Sequence, residues 1–322
     1  MHRIVVTAFA VSCLAAMASS AVEAGVVGGG NDDELVPTGK GWGERPAPGP
    51  GPGQGAGQGQ GNPQGQGKPS HGGGGTNGIS YHGGPLILNG TNIYYIWYGN
   101  WSGNTADAIL STLAQGIGGS AYFNINTTYY DGSNRHISNT VNYKGATSDN
   151  YSQGTALSDA GVQSVVANAI GAGKLPSDAN GVYFVLTSAD VNETSGFCTQ
   201  YCGWHTHSAI TGLGDVKYAF VGNPDRCPSA CEDQTTSPNG NPGADGMASI
   251  ISHELEEATT DPDLNAWYDT RGQENADKCA WTFGTTTSLP SGARYNMTLG
   301  GAKFLIQQNW VNASGGYCAK GY

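Results

Sequence analysis

The residues of this chain best suited to chemistry lie between positions 252 and 269, which read SHELEEATTDPDLNAWYD. His253 and Glu257 stand four residues apart, so on a helix both side chains leave from one face. Glu254 follows the histidine directly, at the position that the general base takes in an H-E-x-x-H metal site; Glu257 replaces the second histidine of that pattern. Asp263 comes ten residues after His253, beyond the Asp261-Pro262 pair that ends a helix. A helical i, i+4 pair joined by a ligand from the next turn makes a set for one zinc ion, with the fourth position left for water. In this reading His253, Glu257 and Asp263 are the metal ligands and Glu254 is the catalytic base. The same spacing also occurs on ordinary solvated helices, so the surrounding elements must discriminate.

Those elements can be read from the hydrophobic pattern. Met247, Ile251, Leu255 and Ala258 form an apolar stripe on a helix over 247–259, with His253, Glu254 and Glu257 on an adjacent polar strip and Glu256 turned toward solvent. Folded sequence begins near Ile79. Residues 92–98 (NIYYIWY), 182–187 (VYFVLT) and 216–221 (VKYAFV) read as buried strands, and 122–131 and 137–143 as half-buried ones. Asp107, Leu110, Leu113, Ala114 and Ile117 mark one helix. Ser158 or Asp159 opens a second, with Val162, Val165, Val166, Ala169 and Ile170 on its buried side. A late strand covers 303–307 (KFLIQ). Together they give an α/β domain, a mixed central sheet packed by helices, with the sheet behind the helix of His253.

The flanking sequence indicates an oxidising compartment. Residues 1–24 have the basic start, short apolar run and small-residue end of a secretory signal peptide, and the run is too short to span a membrane. Residues 25–78 are acidic and then almost pure Gly, Pro and Gln, a composition that stays disordered and serves as a tether. The domain occupies 79–322. Beyond the signal, Cys198, Cys202, Cys227, Cys231, Cys279 and Cys318 can form three disulfides. The two C-x-x-x-C spacings allow local pairing, leaving Cys279 with Cys318, as one of fifteen connectivities. Sequons at Asn89, Asn100, Asn126, Asn150, Asn192, Asn296 and Asn312 suggest a glycoprotein. A net charge of −11 with only 14 Lys and Arg argues against nucleic acid and anionic membranes as partners.

Other chemistry has less support. His205 and His207 follow the first cysteine pair, and His205 is an accessory candidate as replacement ligand or proton donor. Glu254 with Asp261 or Asp263 is an acid pair of the kind used in glycoside cleavage. Trp97, Tyr98, Trp101 and Trp267 are candidates for a noncatalytic surface that binds wall glycan or a receptor. Nucleophile-elbow, Walker and dinucleotide motifs are absent.

Four segments carry a resemblance: 81–101 (YHGGPLILNGTNIYYIWYGNW), 197–207 (FCTQYCGWHTH), 252–269, and 303–310 (KFLIQQNW). Together they resemble the Exordium or phosphate-induced protein family over almost the whole folded part. The resemblance implies a secreted, extracellular or cell-wall protein, linked in plants to growth and nutrient responses, with an extracellular protein or a cell-wall polymer as partner. The helix segment also resembles the metzincin zinc proteases, whose ligands stand at the first, fifth and eleventh positions of their motif. That implies a metzincin-like fold, His253, Glu257 and Asp263 as the ligand set, and a metal-dependent peptidase.

Overall fold

The computed structural model describes residues 36–40 and 78–322. The expected signal peptide lies outside the described residues. So does the expected linker, except for Gly78 and for 36–40, which sit against the domain.

The sheet has five strands: β1 (Thr91–Tyr98), β2 (Val141–Asp149), β3 (Gly181–Thr187), β4 (Gly203–Ile210) and β5 (Gly214–Val221), in the order β2-β1-β3-β5-β4. The first four of that order run parallel, and β4 alone is antiparallel, returning beside β5 with His205 opposite Ala219. β1 and β3 are buried on both faces, which explains their unbroken apolar runs. β2, at one edge, alternates half-buried and exposed residues.

Parallel neighbours need crossovers, and two helices supply them. α1 (Ala106–Gly116) links β1 to β2 and buries Ile109, Leu110 and Leu113. α2 (Asp159–Gly171) links β2 to β3; Ser158 caps it by accepting from the Gly161 N–H at 3.1 Å. The expected strand at 122–131 is instead a 3-10 helix, Phe123–Thr128, where Thr127 and Thr128 turn their hydroxyls back onto the chain. The late strand is shorter than expected, Ala302–Phe304, paired in a hairpin with Met297–Leu299.

α3 (Pro242–Thr260) is the element around which the rest packs. Asn241 caps it, accepting from the Ala244 N–H, and Pro242 opens it without leaving a stranded amide. The expected amphipathic helix is a helix buried on every side: Glu256, assigned to solvent by the pattern, is fully enclosed. β4 and β5 cover one side, α1 another, and the C-terminal hairpins a third. Ser252 and Thr259 satisfy their hydroxyls by donating to Ala248 and Leu255 carbonyls, so these polar groups can be enclosed. Asn309 donates to Glu256 Oε2 at 2.6 Å, while burial pushes the Glu256 carboxyl well above its usual range.

The disulfides cross rather than close locally: Cys198–Cys227, Cys202–Cys231 and Cys279–Cys318. The pairs Cys198/Cys202 and Cys227/Cys231 each sit on one tight turn, the second at the short helix Pro228–Cys231, and the two turns face each other. Replacing both Cys202 and Cys231 by Ala is expected to lower unfolding free energy by about 3–4 kcal/mol, from the 29-residue separation that the bridge closes, measured by denaturant titration.

Of the sequon residues, Asn89, Asn100 and Asn150 are exposed, and Asn192 and Asn312 half-buried. Asn126 is wholly buried and bonded to Asn275, and Asn296 donates to two backbone carbonyls, so neither can carry a glycan in this packing. Tyr98 and Trp267 are core residues and Trp97 is nearly so. Of the four aromatic candidates Trp101 and the edge of Trp97 line a surface pocket, beside Asn104 and Asp107. Among the described residues no helix is long and apolar enough to cross a membrane.

Candidate metal centre

α3 brings His253, Glu254 and Glu257 to one region of the interior, and β4 brings His205 from the facing sheet edge. His205 Nδ1 is 3.3 Å from Glu254 Oε2 and 3.5 Å from Glu257 Oε2. His253 Nε2 is 3.1 Å from Glu257 Oε1, as the i, i+4 spacing demands. The segment after the helix adds two further acids. Asp277, in a 3-10 turn that Cys279 ties to Cys318, places Oδ1 3.6 Å from His253 Nε2. Glu274 places Oε1 3.6 Å from His205 Nε2. All six side chains are buried.

Two imidazoles therefore meet four carboxyl groups inside the protein: with both imidazoles protonated and all four carboxyls ionised, the group would carry a net charge of −2 (+2 −4). Burial of such an excess is costly unless a cation joins it. Glu257 shows the balance of forces. Burial pushes its carboxyl up, but the His253 and His205 rings outweigh that and hold it at about 2. Its Oε1 also accepts from the Asp277 N–H at 3.0 Å. Asp277 is raised, by burial first and by the Glu257 charge second, against the lowering effect of the His253 ring.

The spacings that allow hydrogen bonds here also fit ligands of one ion. Two atoms each about 2.1 Å from one tetrahedral ion lie roughly 3.4 Å from each other. The His253–Glu257 and His253–Asp277 separations of 3.1 and 3.6 Å bracket that value, and the ligand atoms of all three residues lie within 4.8 Å of one another. His205, Glu257 and Glu274 form a second such group, sharing Glu257.

Asp263 is not part of this centre. The turn after the helix, with Leu264 at φ 57°, sends its carboxylate to His207, Asp215 and Lys217 near the β4–β5 hairpin. Lys217 lies 3.3 Å from Asp263 and pairs with Asp215, so this outer group contains its own cation. Asp261 instead forms the turn: its Oδ1 accepts from the Asn265 and Ala266 N–H groups, both at 2.6 Å. Glu274 and Asp277, which the sequence pattern did not single out, join this cluster. The available signal was two acids three residues apart next to Cys279.

A profile described as the phosphate-induced protein 1 conserved region matches residues 79–320. Protein EXORDIUM-like 5 of Arabidopsis thaliana is 32% identical over 272 residues, covering 72% of this chain and 75% of that protein. Protein EXORDIUM-like 3 of the same plant is 32% identical over 279 residues, covering 74% and 82%. Protein PHOSPHATE-INDUCED 1 of Nicotiana tabacum is 25% identical over 218 residues, covering 59% and 67%. No solved structure matches. With the profile spanning nearly all of the domain, the chain belongs to the Exordium, or phosphate-induced protein, family.

Proposed function

We propose that this chain is a secreted extracellular protein that holds a divalent cation between α3 and the Glu274–Asp277 segment and uses it to cleave peptide bonds. The observation that carries the reading is the convergence of two imidazoles and four carboxylates at ligand-to-ligand spacing in a buried region. His253, Glu257 and Asp277 are the ligands, and the set is zinc-compatible though oxygen-rich, which moves its selectivity toward manganese. When bound, the ion would supply Lewis acidity. Glu254 would act as the general base toward an attacking water, and His205, in contact with Glu254, would orient it. The single antiparallel edge strand beside the helix supports the metzincin-like reading of the fold. Three disulfides fit the oxidising compartment that secretion provides.

Two carboxylate ligands neutralise the ion, so the bound water is less acidic than in a three-histidine site. Cleavage of an unstructured protein substrate is therefore expected to rise from neutral to alkaline pH, to stop on chelation and to return with zinc or manganese. Mass spectrometry of the digest checks this. Cleavage unaffected by chelation, or none from metal-loaded protein across that pH range, contradicts the peptidase reading.

A further inference from the structure

β4 is one of the two edge strands of the sheet: one of its edges pairs with β5, and the other faces residues 36–40 of the same chain. The His205 N–H, on that outer edge, donates to the Gly39 carbonyl at 3.1 Å. Gly39 is buried at φ +67°, and a Cβ there would lie 1.8 Å from the His205 carbonyl oxygen and 3.4 Å from Leu264. Only glycine passes between β4 and the turn after α3.

The next residue fills a shaped receptor. Lys40 Nζ donates to Asp159 Oδ2 and to Ser195 Oγ, both at 2.7 Å, and lies 5.3 Å and 5.4 Å from the ring centroids of Tyr201 and Trp204. Ser195 also donates to Asp159 at 2.7 Å, and Tyr201 donates to Glu193 below. One carboxylate, a hydroxyl and two aromatic faces make a receptor for an alkyl ammonium group. A lysine merely resting on a surface would gain one exposed ion pair, worth about 0–1 kcal/mol, whereas here strand pairing and four side-chain contacts act together.

We propose that the outer edge of β4 is a binding groove for an extended peptide, with a lysine subsite formed by Asp159, Ser195, Tyr201 and Trp204, and that residues 36–40 occupy it in the intact chain. Main-chain bonding to a sheet edge provides the affinity, and the Gly-Lys pair provides the selection. The identification of this groove as the substrate cleft rests on the peptidase reading; the docking itself does not, because none of its contacts uses the metal ligands' side chains.

The test is fluorescence anisotropy with a labelled synthetic peptide of residues 34–42 (ELVPTGKGW), in the presence of chelator, against three full-length proteins: wild type, Gly39→Val and Lys40→Glu. Both variants evict the internal segment by different means, so a folding defect in one leaves the other informative. Each variant is expected to bind the peptide at least tenfold more tightly than wild type, whose own segment competes at high effective concentration. A peptide carrying Lys40→Glu is expected to bind at least tenfold more weakly, and Asp159→Asn in the protein to reduce binding similarly. Equal binding to all three proteins, no binding to either variant, or indifference to the lysine overturns the groove. Binding without cleavage by metal-loaded protein leaves the groove standing and overturns only the peptidase reading.

Discussion

Glu254→Gln is expected to leave metal content unchanged and to lower peptide cleavage by about 10²–10⁴-fold, the contribution of a positioned acid–base group. Gln has the size of Glu, and Glu254 is wholly enclosed, so the exchange preserves packing. β4 presses close: a Cβ on Gly203 would lie 3.2 Å from Glu254 Oε1. The carboxamide still meets His205 but cannot take a proton from water. Single-turnover cleavage measured beside elemental analysis separates this outcome from simple loss of the ion. Unchanged cleavage would place the base elsewhere.

Asp277→Ala and His253→Ala are each expected to abolish metal binding and, with it, the stabilisation that the ion confers. An ion present at a thousandfold its dissociation constant stabilises the folded state by about 4 kcal/mol. Wild-type protein should therefore lose thermal stability on chelation, and neither variant should respond. The pH dependence should also reverse. Asp261, outside the ligand set, is raised to about 6 by burial, and without the ion Asp277 is raised too. A raised carboxyl contributes stability that is complete below its unfolded value and lost as pH climbs through the folded one. Chelated protein should thus become less stable from about pH 4 to pH 6 and above, judged from these carboxyls. With the ion, the ligands must be neutral imidazole and ionised carboxylate, so stability should rise over the same interval. Thermal melts at pH 5 and pH 7, with and without chelator, check both signs.

Much of this architecture is legible in the sequence because it depends on local pattern. The apolar runs of β1, β3 and β5, the Ser158 cap of α2 and the i, i+4 pair of His253 and Glu257 are all written within a few residues of themselves. Glu256 shows where pattern fails. A helix enclosed on every side can bury an acid if burial protonates it and Asn309 bonds it, and Asn309 lies far away in sequence. Asp263 lies outside the His253 cluster for a related reason. Asp263 has the right separation from His253, but its direction is set by the left-handed Leu264 turn and by the attraction of Lys217. Asp277 reaches the site only through a loop held by Cys279–Cys318, and no periodicity marks a loop. The crossed disulfides followed from two turns facing each other, a tertiary fact that C-x-x-x-C spacing does not encode.

The central claim is that His253, Glu257 and Asp277 hold an ion. Elemental analysis of full-length protein, purified without chelator and then equilibrated with zinc or manganese and desalted, tests it most directly when His253→Ala is carried alongside. A metal centre on α3 predicts at least one bound ion per wild-type chain that His253→Ala fails to retain. Equal metal in the two proteins, or none in wild type after exposure to either metal, would contradict it.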